Sequence, residues 1–265
     1  FKEHPDVPDI LEACRARSGL VVAVVNDRMP YTGGDALLDV SAVDLAVEVS
    51  QPVPSHEPLA PDEHSRLIGE RVASRVRDGA TIQAGIGGIP DATIAALGGR
   101  KDLRVWTEMF SDGVVALDRA GALEVEHPLT TSFIFGSQEL YDWVDGNPRV
   151  RMTRTETTND PANIARQRAM TSVNSALEVD LFAQANASRI NARIHSGFGG
   201  QTDFVVGALH SPGGQSFIAL RSWHPKANCS TVVPLLDEPV TSVQVSAIVT
   251  EQGVAEIYGA DQRGQ

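Results

Sequence analysis

The chain has 265 residues, 42% of them hydrophobic and 21% charged, proportions of a folded globular protein with ample material for a core. Its formal charge of −12 argues against a nucleic-acid partner, because phosphate binding needs clustered Lys and Arg. No apolar run is long enough to span a bilayer and no N-terminal signal peptide is visible, so no membrane partner is expected. The two cysteines, Cys14 and Cys229, lack the paired spacing of a disulfide framework or zinc site, and a cytoplasmic location is the default. The chain begins at Phe1 rather than Met, which suggests a processed or truncated product.

In chain order, residues 1–18 read as a polar helix with Leu11 and Cys14 on a partly apolar face. Leu20 to Val25 is β-branched and short, which predicts a buried strand. A loop from Asn26 to Gly34 follows, and Leu45 to Val49 predicts a second strand. Residues 50–61 carry Pro52, Pro54, Pro58 and Pro61, so neither helix nor central strand persists there. Two strands are too few for an independent core. The first fifty residues therefore read as the end of a larger domain, 51–61 as a linker, and 62–265 as a second domain.

Beyond the linker, Asp62 is placed to cap a helix carrying Leu67, Ile68, Val72 and Val76 at three- and four-residue steps. Thr81 to Ala84 is a short strand leading into Gly85-Ile86-Gly87-Gly88-Ile89-Pro90-Asp91. Pro90 suits the first position of the next helix, and Asp91 complements its dipole. An apolar strand, Leu103 to Thr107, then ends on Glu108. A helix over Asp112–Ala120, a strand at Ser132–Phe135, a helix capped by Ser137 and a strand at Val150–Arg154 come next. Asp160-Pro161 opens a further helix. Ala169–Val179 is strand-like material interrupted by Asn174 and Ser175. A second glycine loop, Ser196-Gly197-Phe198-Gly199-Gly200-Gln201, precedes a helix with Phe204, Val205 and Leu209. Apolar runs at Phe217–Leu220, Thr231–Leu236 and Val243–Val249 complete the pattern. Short strands alternating with helices predict an α/β fold with an open, largely parallel sheet flanked by helices.

Strand, glycine loop and helix N-terminus together present unpaired amides to an anion. The same residues also serve as a plain tight turn. A dinucleotide site is the rival; it needs Gly or Ala where Pro90 stands, although Glu108 lies near the distance of its ribose-binding acid. Glu108 alone is consistent with a cap, a ribose ligand or a nucleophile; Trp106, Met109 and Phe110 would desolvate it and favour the last. Arg221, His224 and Lys226 form a cationic cluster near a strand end, able to meet phosphates or simply to be solvated. His195, His210 and His224 lack metal-site pairing. Neither a Gly-x-Ser-x-Gly elbow nor a P-loop is present.

Five segments taken together, in order, resemble the acetyl-CoA hydrolase/transferase family. They are Gly85–Asp91, Thr107-Glu108-Met109-Phe110-Ser111-Asp112-Gly113, Asn174–Asp180, Ser196–Phe204 and Val249-Thr250-Glu251-Gln252-Gly253-Val254-Ala255. The resemblance implies the fold of class I CoA-transferases, with two related α/β domains, and acyl-CoA:carboxylate CoA transfer of the 4-hydroxybutyrate/acetate type. Glu108 would become a glutamyl-CoA thioester, and Gly85, Ile86, Gly87, Gly88 and Ile89 would form the CoA and oxyanion loop. Glu178, Ser196, Gly200 and Lys226 would fall at or near CoA contacts. Coenzyme A or acyl-CoA enters as substrate, with no permanently bound cofactor and no metal; the partners implied are a small carboxylate and further copies of the chain in a homo-oligomer. Acyl-CoA hydrolysis by the same glutamate, or a truncated CoA-binding domain without activity, are the alternatives. Arg221-Ser222-Trp223-His224-Pro225-Lys226 departs from the Pro-Ser-Thr-Ala type of segment in many relatives.

Overall fold

The computed structural model describes residues 6–35, 37–197, 199–240, 242, 244–261 and 263. Phe1, Phe198 and Val243, named above, lie outside the described residues. Helix α1 (Val7–Arg15) buries no side chain fully. Strands Val22–Asn26 and Leu45–Val49 pair in parallel, Val22 opposite Leu45. They do not form the buried strand expected of Leu20–Val25: Val22, Val24, Leu45 and Val47 are all more than half exposed. β-Branched residues fit the extended conformation, but burial needs a second layer, and among the described residues this sheet has two strands.

Residues 50–61 contain neither helix nor strand, yet they are fastened to the body of the chain. The His56 N–H donates to the Gly136 carbonyl at 2.8 Å, and the Tyr141 hydroxyl donates to the Pro54 carbonyl at 2.8 Å. Asp62 then caps α2 (Glu63–Arg75), its Oδ1 accepting from the Ser65 N–H at 3.0 Å. The helical spacing turns Ile68 and Val72 inward, both at 0% exposure, each contributing about 1.5–3 kcal/mol of apolar burial. Strand Thr81–Ala84 is buried at all four positions. Helix α3 (Gly88–Ala96) follows Gly87, so Pro90 is its third residue rather than its first. The N–H groups of the first turn have no helical acceptor, and proline therefore costs nothing there.

Strand Arg104–Val105 is short, and α4 (Gly113–Arg119) follows it after a bend. Helix α5 (Gln138–Val144) is capped by the Ser137 hydroxyl, which accepts from the Leu140 N–H at 3.3 Å. One helical turn, α6 (Thr155–Thr158), was not anticipated. Helix α7 (Pro161–Ala165) starts at the expected Asp160 cap, and α8 (Gln201–His210) starts after Gly200. The run Thr231–Leu236 contributes only the strand Val232–Val233, since Pro234 removes a ladder donor.

The central sheet has the order Val254–Glu256, Ala247–Val249, Gln215–Ala219, Thr171–Asn174, Thr81–Ala84 and Arg104–Val105. The last five are parallel, and Val254–Glu256 is an antiparallel edge. Alternation along the strands serves two faces: Phe217, Ala219 and Val249 pack with Ile68 and Val72 of α2, whereas Ile218 and Ile248 pack with Val205 of α8. Because the five strands point one way, the loops that leave them converge at one edge of the sheet.

Candidate active site

That edge gathers Gly85-Ile86, Thr107-Glu108, Asn174-Ser175 and, from the second glycine loop, Gly197, Gly200 and Gln201 around a cavity of about 240 Å³. Glu108 sits between strand Arg104–Val105 and the two-residue strand Met109–Phe110, rather than at a strand end. Its backbone is pinned: the carbonyl accepts from the N–H groups of Ser132 and Phe133 at 2.9 and 3.1 Å and from the Thr131 hydroxyl at 3.1 Å. With the main chain immobilised, the side chain is aimed rather than left to sample solvent.

The carboxylate Oε2 accepts from Asn159 Nδ2 at 2.8 Å. The amide oxygen of Asn159 in turn accepts from the Thr158 hydroxyl at 3.1 Å, and Thr158 also bonds to the Ser132 hydroxyl. Thr158 and Ser132 are fully buried. This buried relay fixes which end of the amide faces Glu108. The second glycine loop closes in from the other side. A Cβ at Gly200 would collide with Glu108 Oε2 and lie 2.7 Å from Asn159 Nδ2, so only glycine allows the N-terminus of α8 to approach the carboxylate this closely. Asp203, in the first turn of α8, has its carboxyl raised above its ordinary value, first by burial and second by the charge of Glu108.

Of the residues expected to desolvate Glu108, Met109 lines its cavity. Trp106 instead packs with Ile164, Met170 and Phe204, its ring N–H donating to the Thr158 carbonyl at 2.9 Å, and Phe110 belongs to the main core. Phe133 takes up the apolar wall. The floor is polar: the Gln83 Oε1 accepts from Ser172 Oγ at 2.6 Å and from Asn174 Nδ2 at 3.3 Å.

The first glycine loop is shared out among three neighbouring cavities. Gly85 and Ile86 face Glu108. Gly87, Gly88 and Ile89 line a second cavity of about 360 Å³ with Ser175, Arg221 and His224. Gly87 and Gly88 also border a third of about 500 Å³ with His56, Asp91 and Asp112. Ile86 touches all three. Gly87 has φ 112°, a region that side chains rarely enter. Burial is the main influence holding the Asp91 carboxyl above its ordinary range. Of the expected cationic cluster, Arg221 is ion-paired with Asp62 and His224 Nδ1 accepts from the Ala227 N–H at 2.9 Å. Lys226 lies in the exposed turn between the paired strands Trp223–His224 and Cys229–Ser230 and lines none of the three cavities.

The structure thus brings Glu108, Gly85, Ile86 and Gly200 together and sets Gly87, Gly88 and Ile89 one cavity away. Glu178 accepts from Asn186 Nδ2 at 2.9 Å, and Ser196 donates to the Ala187 carbonyl at 3.5 Å; neither lines the Glu108 cavity, although Ala187 does. Asn159, Thr158 and Gln83 escaped the sequence reading. The polar residue immediately before the Asp160-Pro161 helix start was the available signal for Asn159. Among the described residues, no cluster of three or more His, Cys, Asp or Glu side chains is arranged to hold a metal ion.

Helices on both faces of a parallel sheet, with glycine loops and a carboxylate at its carboxyl edge, define a doubly wound α/β protein, a class whose ligands generally bind outside that edge. Within that class the chain belongs to the acetyl-CoA hydrolase/transferase family: residues 136–265 match its C-terminal domain. It is 40% identical over 256 residues to the 4-hydroxybutyrate coenzyme A transferase of Clostridium kluyveri, covering 93% of this chain and 60% of that one. A solved 4-hydroxybutyrate CoA-transferase from Porphyromonas gingivalis superposes with TM-score 0.80 at 40% identity, over 92% of this chain and 60% of that chain. RipA from Yersinia pestis gives TM-score 0.87 at 32% identity, over 94% and 59% respectively. The chain therefore spans about 60% of the length of these relatives.

Proposed function

We propose that the chain carries the catalytic half of an acyl-CoA:carboxylate CoA-transferase, with Glu108 as the covalent nucleophile. The observation that carries this reading is the Glu108 carboxylate, held by Asn159 at 2.8 Å and overhung by Gly200 in a cavity bounded by both glycine loops. The carboxylate attacks the thioester carbonyl of acyl-CoA. The C–S bond breaks, leaving a mixed anhydride and the CoA thiolate. The thiolate then attacks the glutamyl carbonyl and expels the first carboxylate, which leaves Glu108 as a CoA thioester; an incoming carboxylate reverses both steps. Splitting the exchange this way replaces one difficult transfer by easier ones.

Each step builds an oxyanion. The Gly85 N–H is engaged by the Val173 carbonyl at 3.4 Å, so the amides of Ile86 and Gly200 are the donors assigned next to Glu108, and one well-placed donor of this kind lowers such a barrier by roughly 3 kcal/mol. Gly87, Gly88 and Ile89, at the N-terminus of α3, border the next cavity with Arg221 and His224, and we assign to them the more distant part of the CoA molecule. Glu178, Ser196 and Lys226 are assigned to its periphery. Coenzyme A is substrate rather than resident cofactor, and the acceptor is a small carboxylate such as acetate or 4-hydroxybutyrate. The same reading makes residues 1–50 the end of a first domain, 51–61 its linker and 62–265 the second domain; the uncovered Val22, Val24, Leu45 and Val47 face supports that division. It also includes a homo-oligomer in the cytoplasm.

The family name spans transfer and hydrolysis, and one assay separates them. Consumption of acetyl-CoA, with the new acyl-CoA and any free CoA resolved by chromatography, is measured with and without 4-hydroxybutyrate as acceptor, for the full chain and for Glu108→Ala. Transfer predicts turnover that requires the acceptor and disappears in the variant. Acceptor-independent release assigns hydrolysis, and a fully active Glu108→Ala variant removes the nucleophile reading.

A further inference from the structure

Strands Thr81–Ala84 and Thr171–Asn174 are parallel neighbours with Gln83 opposite Ser172, and Asn174, two positions on, shares the face of Ser172. Their side chains close a ring. Ser172 Oγ donates to Gln83 Oε1 at 2.6 Å and accepts from Asn174 Nδ2 at 2.9 Å. The two amides also exchange hydrogen bonds: Gln83 Nε2 donates to Asn174 Oδ1 at 3.2 Å, and Asn174 Nδ2 donates to Gln83 Oε1 at 3.3 Å. A side-chain amide nitrogen carries two N–H groups and a hydroxyl one O–H. The ring therefore consumes every donor of Asn174 and Ser172 and leaves over a single N–H of Gln83. Gln83 Nε2 has no second acceptor among the described residues. Its side chain is 5% exposed and lines the Glu108 cavity.

Among the described residues, no Lys, Arg or His lines that cavity. A carboxylate entering beside Glu108 is an anion against an anion, and neutral donors held in place have to meet its charge. The other polar side chains there are less suited. Thr107 Oγ1 donates to the Met109 carbonyl at 2.9 Å, Ser175 is exposed, and Gln201 is partly exposed in the first turn of α8. Gln83 combines burial, a rigid brace and an uncommitted N–H. We propose that Gln83 seats the substrate carboxylate, its amide holding one oxygen while the other attacks the glutamyl thioester carbonyl and the CoA thiolate departs. Asn174 and Ser172 position it. The inference rests on the transfer reading above and adds the group that recognises the acceptor.

Kinetics with varied 4-hydroxybutyrate at fixed acetyl-CoA compare the full chain with Gln83→Met, which keeps the bulk and removes the donor, and with Gln83→Glu, which keeps an acceptor oxygen for the ring. Losing one hydrogen bond to a charged group should lower kcat/KM for the carboxylate about 10- to 100-fold in Gln83→Met, while KM for acetyl-CoA stays within about threefold. In Gln83→Glu the introduced carboxyl repels the substrate when ionised and offers an O–H donor when protonated, and burial raises its pKa. Its kcat/KM should lie below that of Gln83→Met at about pH 8 and above it at about pH 5.5. A merely structural ring changes Tm in both variants without this crossover. Unchanged carboxylate kinetics in Gln83→Met, or parallel pH profiles for the two variants, overturn the proposal. Absence of turnover in the unaltered chain instead defeats the transfer reading. NMR of the Gln83 side-chain amide during titration with 4-hydroxybutyrate then reads the seat directly, and it serves equally if a variant fails to fold. A saturable shift supports the proposal, and no shift overturns it.

Discussion

Glu108 is a single carboxylate among 34 acidic residues, and what distinguishes it is the company supplied by distant segments. Asn159, 51 residues away, donates to it through an amide that the buried Thr158 and Ser132 hydroxyls hold in one orientation. A hydrogen bond to an ionised acceptor is worth about 1.5–3 kcal/mol, so Asn159→Ala should lower kcat by roughly 10- to 100-fold with a smaller change in KM; steady-state kinetics with an unchanged kcat would contradict this. Gly200→Ala should be more damaging, because the added methyl occupies the position of the Glu108 carboxylate. Its circular dichroism should match that of the unaltered protein while turnover is lost. Glu108 and Gly200 were singled out in the sequence by the resemblance of their segments to the family. Asn159 was not, because its role exists only after the α6 turn and the strand carrying Ser132 are folded against each other.

At the scale of elements, the loops at the carboxyl edge are tied to one another by side chains as well as by the sheet. Glu251, after strand Ala247–Val249, accepts from the Ser222 N–H at 2.9 Å and from the Ser222 hydroxyl. Thr231 bonds back to the Arg221 carbonyl, and Arg221 reaches Asp62 at the start of α2. The segment from Arg221 is therefore a braced rim beside Gly87–Ile89, which the sequence offered only as a departure from relatives. Burial acts to raise the Glu251 carboxyl, but the hydrogen bonds from the Ser222 hydroxyl and N–H, from its own backbone N–H and from Gln252 together outweigh it and set it below its ordinary value of 4.5. A carboxylate depressed in the folded state adds stability that is present above the unfolded value and lost as pH falls through the folded one. Glu251→Gln should accordingly lower Tm near neutrality, and the difference should close as the pH drops below 4.5. Thermal melts across that range check the sign; a gap that persists unchanged into acid would refute it. The long, regular elements α2, Thr81–Ala84 and α8 were legible because their apolar spacing matches one period and their caps are explicit. The paired strands of two residues at Trp223–His224 and Cys229–Ser230 were not, since two residues carry no periodicity.

Over the whole molecule, a protein of net charge −12 is read as handling an anionic substrate by concentrating backbone amides, helix N-termini and one braced arginine at a single sheet edge. The parallel sheet was foreseeable from the alternation of strands and helices, whereas the exposure of Val22 and Val24 was not, because strand composition says nothing about what lies across the sheet. The arrangement of both glycine loops about Glu108 is the feature on which the functional reading depends. The most direct measurement is to incubate the full chain with acyl-CoA in the absence of acceptor, treat it with borohydride or hydroxylamine, and map the modified peptide by mass spectrometry. The account predicts modification at Glu108 and nowhere else. A preparation that turns over while Glu108 remains unmodified would contradict it.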